Sequence, residues 1–187
     1  FQAEDGIRDE SLRLVGSEMC IRDRYELLIT LALLAILATL GLPSFSVLAA
    51  KSRQSTEINA LFHAIHHARK ESIMRHRVVS LCPSRDGLTC AKTKDWSDGW
   101  LLFYDPTGTG WPGDGIVTRH AVTETVRVVA NRRVFTARGT QKRTTNGTIV
   151  FCDRRGRTAA KALVISYTGR PRVAERRPDG SAWSCAD

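Results

Sequence analysis

Sixteen consecutive residues, Leu27 to Leu42, are all leucine, isoleucine or alanine apart from Thr30, Thr39 and Gly41. Glu26 lies directly before this run and Pro43 directly after it. A helix this apolar on every side belongs in lipid or in a bundle of other helices. It rises about 24 Å, short of the roughly 30 Å hydrocarbon core of a bilayer. Phe45, Val47, Leu48, Ala49 and Ala50 carry the apolar character past the proline. The small residues around 47–49 would also fit a signal-peptide cleavage site, but the helical pattern does not stop there. Ile58, Leu61, Phe62, Ile65 and Ala68 recur at the spacing of one amphipathic stripe, and Lys51, Arg53, Glu57, Arg69, Lys70 and Glu71 fall off it. One helix from about Glu26 to about His76 is predicted, kinked near Gly41 and Pro43. Its first half is greasy all round and its second half on one side only.

After His76 the period changes. Residues 77–82 and 99–105 read as strands, and 115–121, 124–131, 147–153, 159–166 and 169–175 as further short ones. Residues 83–90 form a turn-rich loop and 106–115 a long glycine-rich one. Asn146–Gly147 and Arg155–Gly156 are read as tight turns, the first in preference to a glycosylation acceptor. The fold class expected is α+β, with a long N-terminal hydrophobic and amphipathic helix packed on a small antiparallel β domain. The expected divisions are 26–50 for the membrane or filament-core half of the helix, 51–77 for the amphipathic half and 78–187 for the β domain. Residues 1–24 have no period and no join to the apolar run, and are read as adapter-like sequence foreign to the protein. Cys20 is set aside with them.

Four cysteines remain, Cys82, Cys90, Cys152 and Cys185. An even number beside an export-like hydrophobic segment suggests two disulfides in an oxidising compartment. Of three possible pairings, the sequential one, Cys82–Cys90 with Cys152–Cys185, closes one small loop and fastens the C-terminal tail. Loop entropy assigns these roughly 2–3 and roughly 4 kcal/mol. The spacing does not suit zinc.

Catalysis needs converging groups, and the sequence offers few. His63 and His67 are four apart on a helix but lack a third ligand, and are read as solvated. Asp105 and Asp114 flank the glycine-rich loop without the spacing of a calcium loop. Ser84 and Ser166 have no nearby histidine. The glycine-rich loop does not end in the Lys-Ser/Thr of a phosphate-binding loop. No enzyme, no cofactor and no metal is expected.

Charge is more informative. The chain carries a formal net charge of +9, yet the first 25 residues hold four basic and six acidic side chains. Between Arg127 and Arg177 there are fourteen basic and two acidic residues. Arg170 and Arg172, two apart on a strand, are expected on one face. Such a patch attracts nucleic acid or anionic membrane in a salt-dependent way. With nothing to read bases, contact would be to the nucleic-acid backbone without sequence preference.

These residues together resemble the type IV pilin-like proteins, within them the GspH/FimT group of minor pilins and pseudopilins. The resemblance covers residues 26 to about 185. It is carried by "ELLITLALLAILATLGLPSF" (26–45), "CPSRDGLTC" (82–90), "DWSDGWLLFYD" (95–105, with Trp96 and Trp100), "FCDRRGR" (151–157), "LVISYTGRPR" (163–172) and Cys185. It implies that Glu26 is the family's assembly glutamate and Pro43 its helix-kinking proline. It also implies partnership with other pilins through the N-terminal helix, an inner-membrane location with a periplasmic β domain, and assembly into a filament. Counting back from Glu26 places Arg22 and Ile21 where the family has its mature first residue and its cleavage glycine. As written, this chain is therefore not expected to be processed by the prepilin peptidase. Some members bind DNA through a C-terminal Gly-Arg-x-Arg motif. Gly169-Arg170-Pro171-Arg172 matches it, and Arg154, Arg155, Arg157, Arg176 and Arg177 are the expected surrounding contacts. A secretion role without DNA, or a membrane-anchored β domain outside any filament, are the alternatives.

Overall fold

The computed structural model describes residues 8–112, 115–139 and 144–185. The chain divides into two units, Phe1–Ser46 and Val47–Asp187. One helix, α1 (Arg8–Arg75), belongs to both and holds Pro43 within it. It starts well before Glu26, where the sequence placed its beginning. Residues 8–25 contain no proline and a single glycine, Gly16. A helix already nucleated extends cheaply through such residues.

The second unit combines residues 47–75 of α1 with two four-stranded antiparallel sheets. The strands are β1 (Val79–Pro83), β2 (Trp100–Tyr104), β3 (Ile116–His120), β4 (Val126–Ala130), β5 (Phe135–Ala137), β6 (Gly147–Asp153), β7 (Lys161–Ile165) and β8 (Pro171–Ala174). One sheet runs β3-β2-β1-β5 and the other β4-β6-β7-β8. The apolar stripe of the helix, with Ile58, Leu61 and Ile65, packs with Leu81, Phe151 and Leu163 in one core drawn from both sheets. Trp96 is fully buried beside β4. Its backbone N–H donates to Val128 O at 2.8 Å and its Nε1 to Arg132 O at 3.3 Å.

Two polar side chains on the buried side of the helix position it. Gln54 Nε2 donates to Phe151 O (2.9 Å) and to Ala159 O (3.0 Å), and Thr158 Oγ1 donates to Gln54 Oε1 (3.2 Å). Further along, Ser72 Oγ donates to Ala137 O at 3.1 Å. The two contacts fasten the helix to β6 and to β5, at opposite ends of the unit.

Cys82 bonds Cys90, and Cys152 bonds Cys185. Inside the first loop the Asp86 carboxylate accepts from Leu88 N, Thr89 N, Thr89 Oγ1 and Ser84 Oγ. These donors, the backbone ones above all, hold its pKa far below the usual carboxylate range.

Two readings of the sequence need correcting. Asn146–Gly147 is not a tight turn, since Gly147 opens β6 and pairs with Ile165. A Cβ there would lie 2.5 Å from Asn131 Oδ1 and 2.7 Å from Phe135 Cε1, so the glycine serves close packing. Strand β5 was not foreseen at all. It is three residues long and follows Arg132 and Arg133, and its pairing with β1 is a contact across more than fifty residues of chain. Arg155–Gly156 is a turn, with Gly156 at φ 67°.

Candidate functional site

In the first unit, α1 presents an apolar surface. Every large hydrophobic described from Leu27 to Phe45 is more than half exposed, from 53% at Leu31 to 70% at Phe45. Among the described residues one helix is long and apolar enough to cross a membrane, with a mean hydropathy of 2.3 over its best window. Its few polar groups are satisfied within the helix. Thr30, Thr39 and Ser46 hydroxyls donate to the carbonyls of Leu27, Ile36 and Pro43, each at 2.8 Å. Such back-bonding leaves no hydroxyl proton seeking water. Glu26 is an exposed carboxylate at the head of this surface. Pro43 has no N–H, so the Thr39 carbonyl lacks the helical donor that position would supply.

In the second unit the sheet topology decides which arginines meet. Strand β8 follows β7 through a hairpin in which Ser166 N donates to Arg170 O (3.2 Å) and Gly169 N to Ser166 O (2.9 Å). Pro171 is buried, while Arg170, just before β8, and Arg172 within it are both exposed. The hairpin lies at the end of the unit where α1 finishes. Thr144 N donates to Tyr167 O and Thr145 N to Thr136 O on β5, and β5 is tied to the helix by Ser72.

Arg154, Arg155, Arg157, Arg176 and Arg177 occupy the other end, near Gln54. Arg154 N donates to Thr125 O, and Arg157 N donates to Asp153 Oδ2 at 2.8 Å. Arg176 Nη1 donates to Gly180 O (3.1 Å), and the Arg177 guanidinium stands 5.4 Å from the Trp183 ring centre. Six residues of extended chain, ~20 Å, separate Arg170 from Arg176. The seven arginines that the sequence grouped as one basic face are therefore divided between two ends. Lys161 at the Gln54 end is also matched by Glu175, at 2.9 Å.

The end where α1 finishes gathers basic residues that the sequence alone did not connect. Tyr104 OH donates to Glu71 Oε2 (2.7 Å), and Arg75 Nε pairs with the same oxygen (2.6 Å). The Tyr104 bond is the main reason Glu71 titrates below its ordinary value and Tyr104 above its own. Arg75 and Arg77 both lie over the Tyr104 ring, at 6.0 and 5.8 Å from its centre. Arg138 follows β5 at this same end. The signal was hard to see because Arg75 and Arg77 fall far outside the arginine-rich stretch of sequence.

The remaining candidates resolve into structural roles. Asp105 is buried, and its carboxylate accepts from Ser80 Oγ (2.9 Å), Thr109 N (3.0 Å) and Gly110 N (2.8 Å). It shapes the glycine-rich loop; Asp114 lies outside the described residues. His63 and His67 are exposed on the helix, and His67 Nε2 lies 3.8 Å from Glu71 Oε1. Among the described residues no three His, Cys, Asp or Glu side chains are placed to hold a metal ion. Glu57, which the pattern put on the solvent side, is 4% exposed. It accepts from His120 Nε2 (2.8 Å), Thr123 Oγ1 (2.7 Å) and Thr123 N (3.0 Å).

A family model described as Type II transport protein GspH matches residues 57–169. No curated protein matches the sequence. Among solved structures, the type IV minor pilin FimU of Pseudomonas aeruginosa aligns at 20% identity and a TM-score of 0.49, over 71% of this chain and 95% of that one. The minor pseudopilin EpsH from the Type 2 Secretion System of Vibrio cholerae aligns at 8% identity and a TM-score of 0.49, over 65% of this chain and 96% of that one. The family match takes in more than half of the sequence and most of the two-sheet unit, and on it the chain belongs to the GspH family of minor pilins and pseudopilins.

Proposed function

We propose that this chain is a non-enzymatic minor subunit of a type IV pilus or type II secretion filament, anchored in the bacterial inner membrane with its β domain in the periplasm. One observation carries the reading: a helical surface from Leu27 to Phe45 whose described large apolar side chains are all more than half exposed. Lipid covers it before assembly and the helices of other subunits afterwards. A buried carboxylate is costly without a partner. Glu26, carried into such a bundle, would pair with the N-terminal amine of a neighbouring subunit and so check the docking register. A charge in mid-span should abolish both states of the helix. Leu33→Arg, at a cost of about 3 kcal/mol at a bilayer centre, is expected to deplete the chain from membrane and filament fractions alike. Unchanged fractionation would contradict the reading.

The finer part of the proposal is contact with double-stranded DNA through Arg170 and Arg172. The exposed pair on the β7–β8 hairpin supports it, together with the net positive charge of the surrounding sequence. In a gel-shift titration of the full chain in neutral detergent, Arg170→Gln/Arg172→Gln should weaken duplex binding and lower the salt slope by about two, one per phosphate contact. Equal affinities at low salt would remove DNA from the account. The second reading is a secretion pseudopilus subunit without DNA contact, and the description of the matching family, a type II transport protein, favours it.

A further inference from the structure

The glycine-rich loop between β2 and β3 displays a tryptophan outward. Trp111 is 54% exposed, whereas Trp96 and Trp100 are in the core and Trp183 is half-covered beside Arg177. The loop is held in place from beneath. Asp105 takes the amides of Thr109 and Gly110, Gly108 N donates to Asp105 O (3.1 Å), and the hydroxyls of Thr107 and Thr109 bond each other at 2.9 Å. Gly110 also rests against Val134, since a Cβ there would lie 3.2 Å from Val134 Cγ2. A large aromatic side chain on a fixed support, turned away from the core, has the character of a binding anchor.

Its surroundings indicate the ligand. A Cβ on Gly108 would lie 3.7 Å from Arg138 Nη2, so that guanidinium borders the loop. Tyr104, Val79 and Ala137 form one row across the sheet. The loop leaves this row after Tyr104, Arg138 follows Ala137, and Arg77 lies over the Tyr104 ring. Neither Arg77 nor Arg138 forms an ion pair among the described residues. Asp105, at the start of the loop, is buried and turned inward to the loop amides.

We infer that Trp111, with Arg138, forms a binding site for single-stranded nucleic acid. An exposed indole on a held loop can stack an unpaired base, and the Arg138 guanidinium bordering the loop matches an adjoining phosphate. A duplex keeps its base faces covered and offers Trp111 nothing comparable. This site shares its end of the domain with Arg170 and rests on the nucleic-acid reading above, to which it adds a separate single-stranded ligand. It does not require Arg172.

The test uses the full chain in neutral detergent with a 12-nucleotide oligothymidine, read by quenching of tryptophan emission and by anisotropy of a labelled strand. Trp111→Ala should weaken single-strand binding by about fivefold or more, the range of one base–aromatic stack, and should remove most of the quenching. Trp111→Phe should restore much of the affinity, and Arg138→Gln should lower the salt slope by about one. A duplex of equal length separates the two readings, since Trp111→Ala should leave duplex affinity unchanged while Arg170→Gln/Arg172→Gln reduces it. Wild-type single-strand affinity in Trp111→Ala, or no oligothymidine binding at low salt, would overturn the inference. Tighter binding of polyglutamate than of oligothymidine would overturn it too, and would point to an acidic protein partner.

Discussion

A carboxylate on the buried side of an amphipathic helix is tolerated only where donors meet it, and Glu57 meets three. Burial pushes its pKa up, but the hydrogen bonds from His120 and Thr123, with the charge of His120, outweigh this and hold it below the ordinary glutamate value of 4.5. His120 is in turn stacked on Trp100, with ring centres 5.0 Å apart. Because the folded pKa is lowered, the stabilisation is fully present above pH 4.5 and is lost as pH falls through the folded value. Glu57→Gln should flatten that acid limb of the stability curve, measured by urea unfolding across pH. Glu57→Ala should cost about 1–3 kcal/mol at neutral pH, because it leaves buried donors unmet. An unchanged acid limb in Glu57→Gln would assign the acid sensitivity elsewhere. None of this was readable in sequence. Glu57 looks like any surface acid until His120 and Thr123, more than sixty residues on, are brought against it. Asp105 misleads in the opposite direction: beside a glycine-rich loop it suggests an ion ligand, yet the loop's own amides occupy it.

Elements were legible where a period or a composition marked them. The apolar run after Glu26 and the stripe from Ile58 to Ala68 give the helix, and aromatic and branched runs give β2, β6 and β7. Gln54 and Ser72 were not visible as helix anchors, because their partners are backbone carbonyls of distant strands. Strand β5 escaped because three residues cannot display a period, and Asn146–Gly147 was misread because its glycine answers to Phe135 and Asn131. The two disulfides make a comparison of elements possible. Cys152–Cys185 spans 33 residues and holds the C-terminal tail to β6, whereas Cys82–Cys90 spans only 8. Loop entropy predicts a loss of roughly 4 kcal/mol for Cys152→Ser/Cys185→Ser and roughly 2–3 kcal/mol for Cys82→Ser/Cys90→Ser. Urea unfolding of the oxidised variants measures both. The reverse order would mean that local packing around Asp86, not loop length, sets the contribution of the smaller ring.

At the scale of the whole molecule the proposals rest on two surfaces among the described residues. The first is the helix from Leu27 to Phe45, whose described large apolar side chains are all more than half exposed. The second is the end of the β domain where α1 finishes, with Arg75, Arg77, Arg138 and Arg170 and the raised Trp111. The sequence made the first surface plain and hid the second, because its arginines come from three separate stretches that only the paired strands unite. Assembly through the first surface is the central claim, and Glu26 is its most direct probe. In a filament-forming host, with a leader that the prepilin peptidase accepts, wild type and Glu26→Ala would be compared by the fraction recovered with sheared filaments. The account predicts that wild type enters the filament fraction, whereas Glu26→Ala stays in the inner membrane with both disulfides formed and the β domain still resistant to protease. Equal recovery of Glu26→Ala in filaments would contradict it.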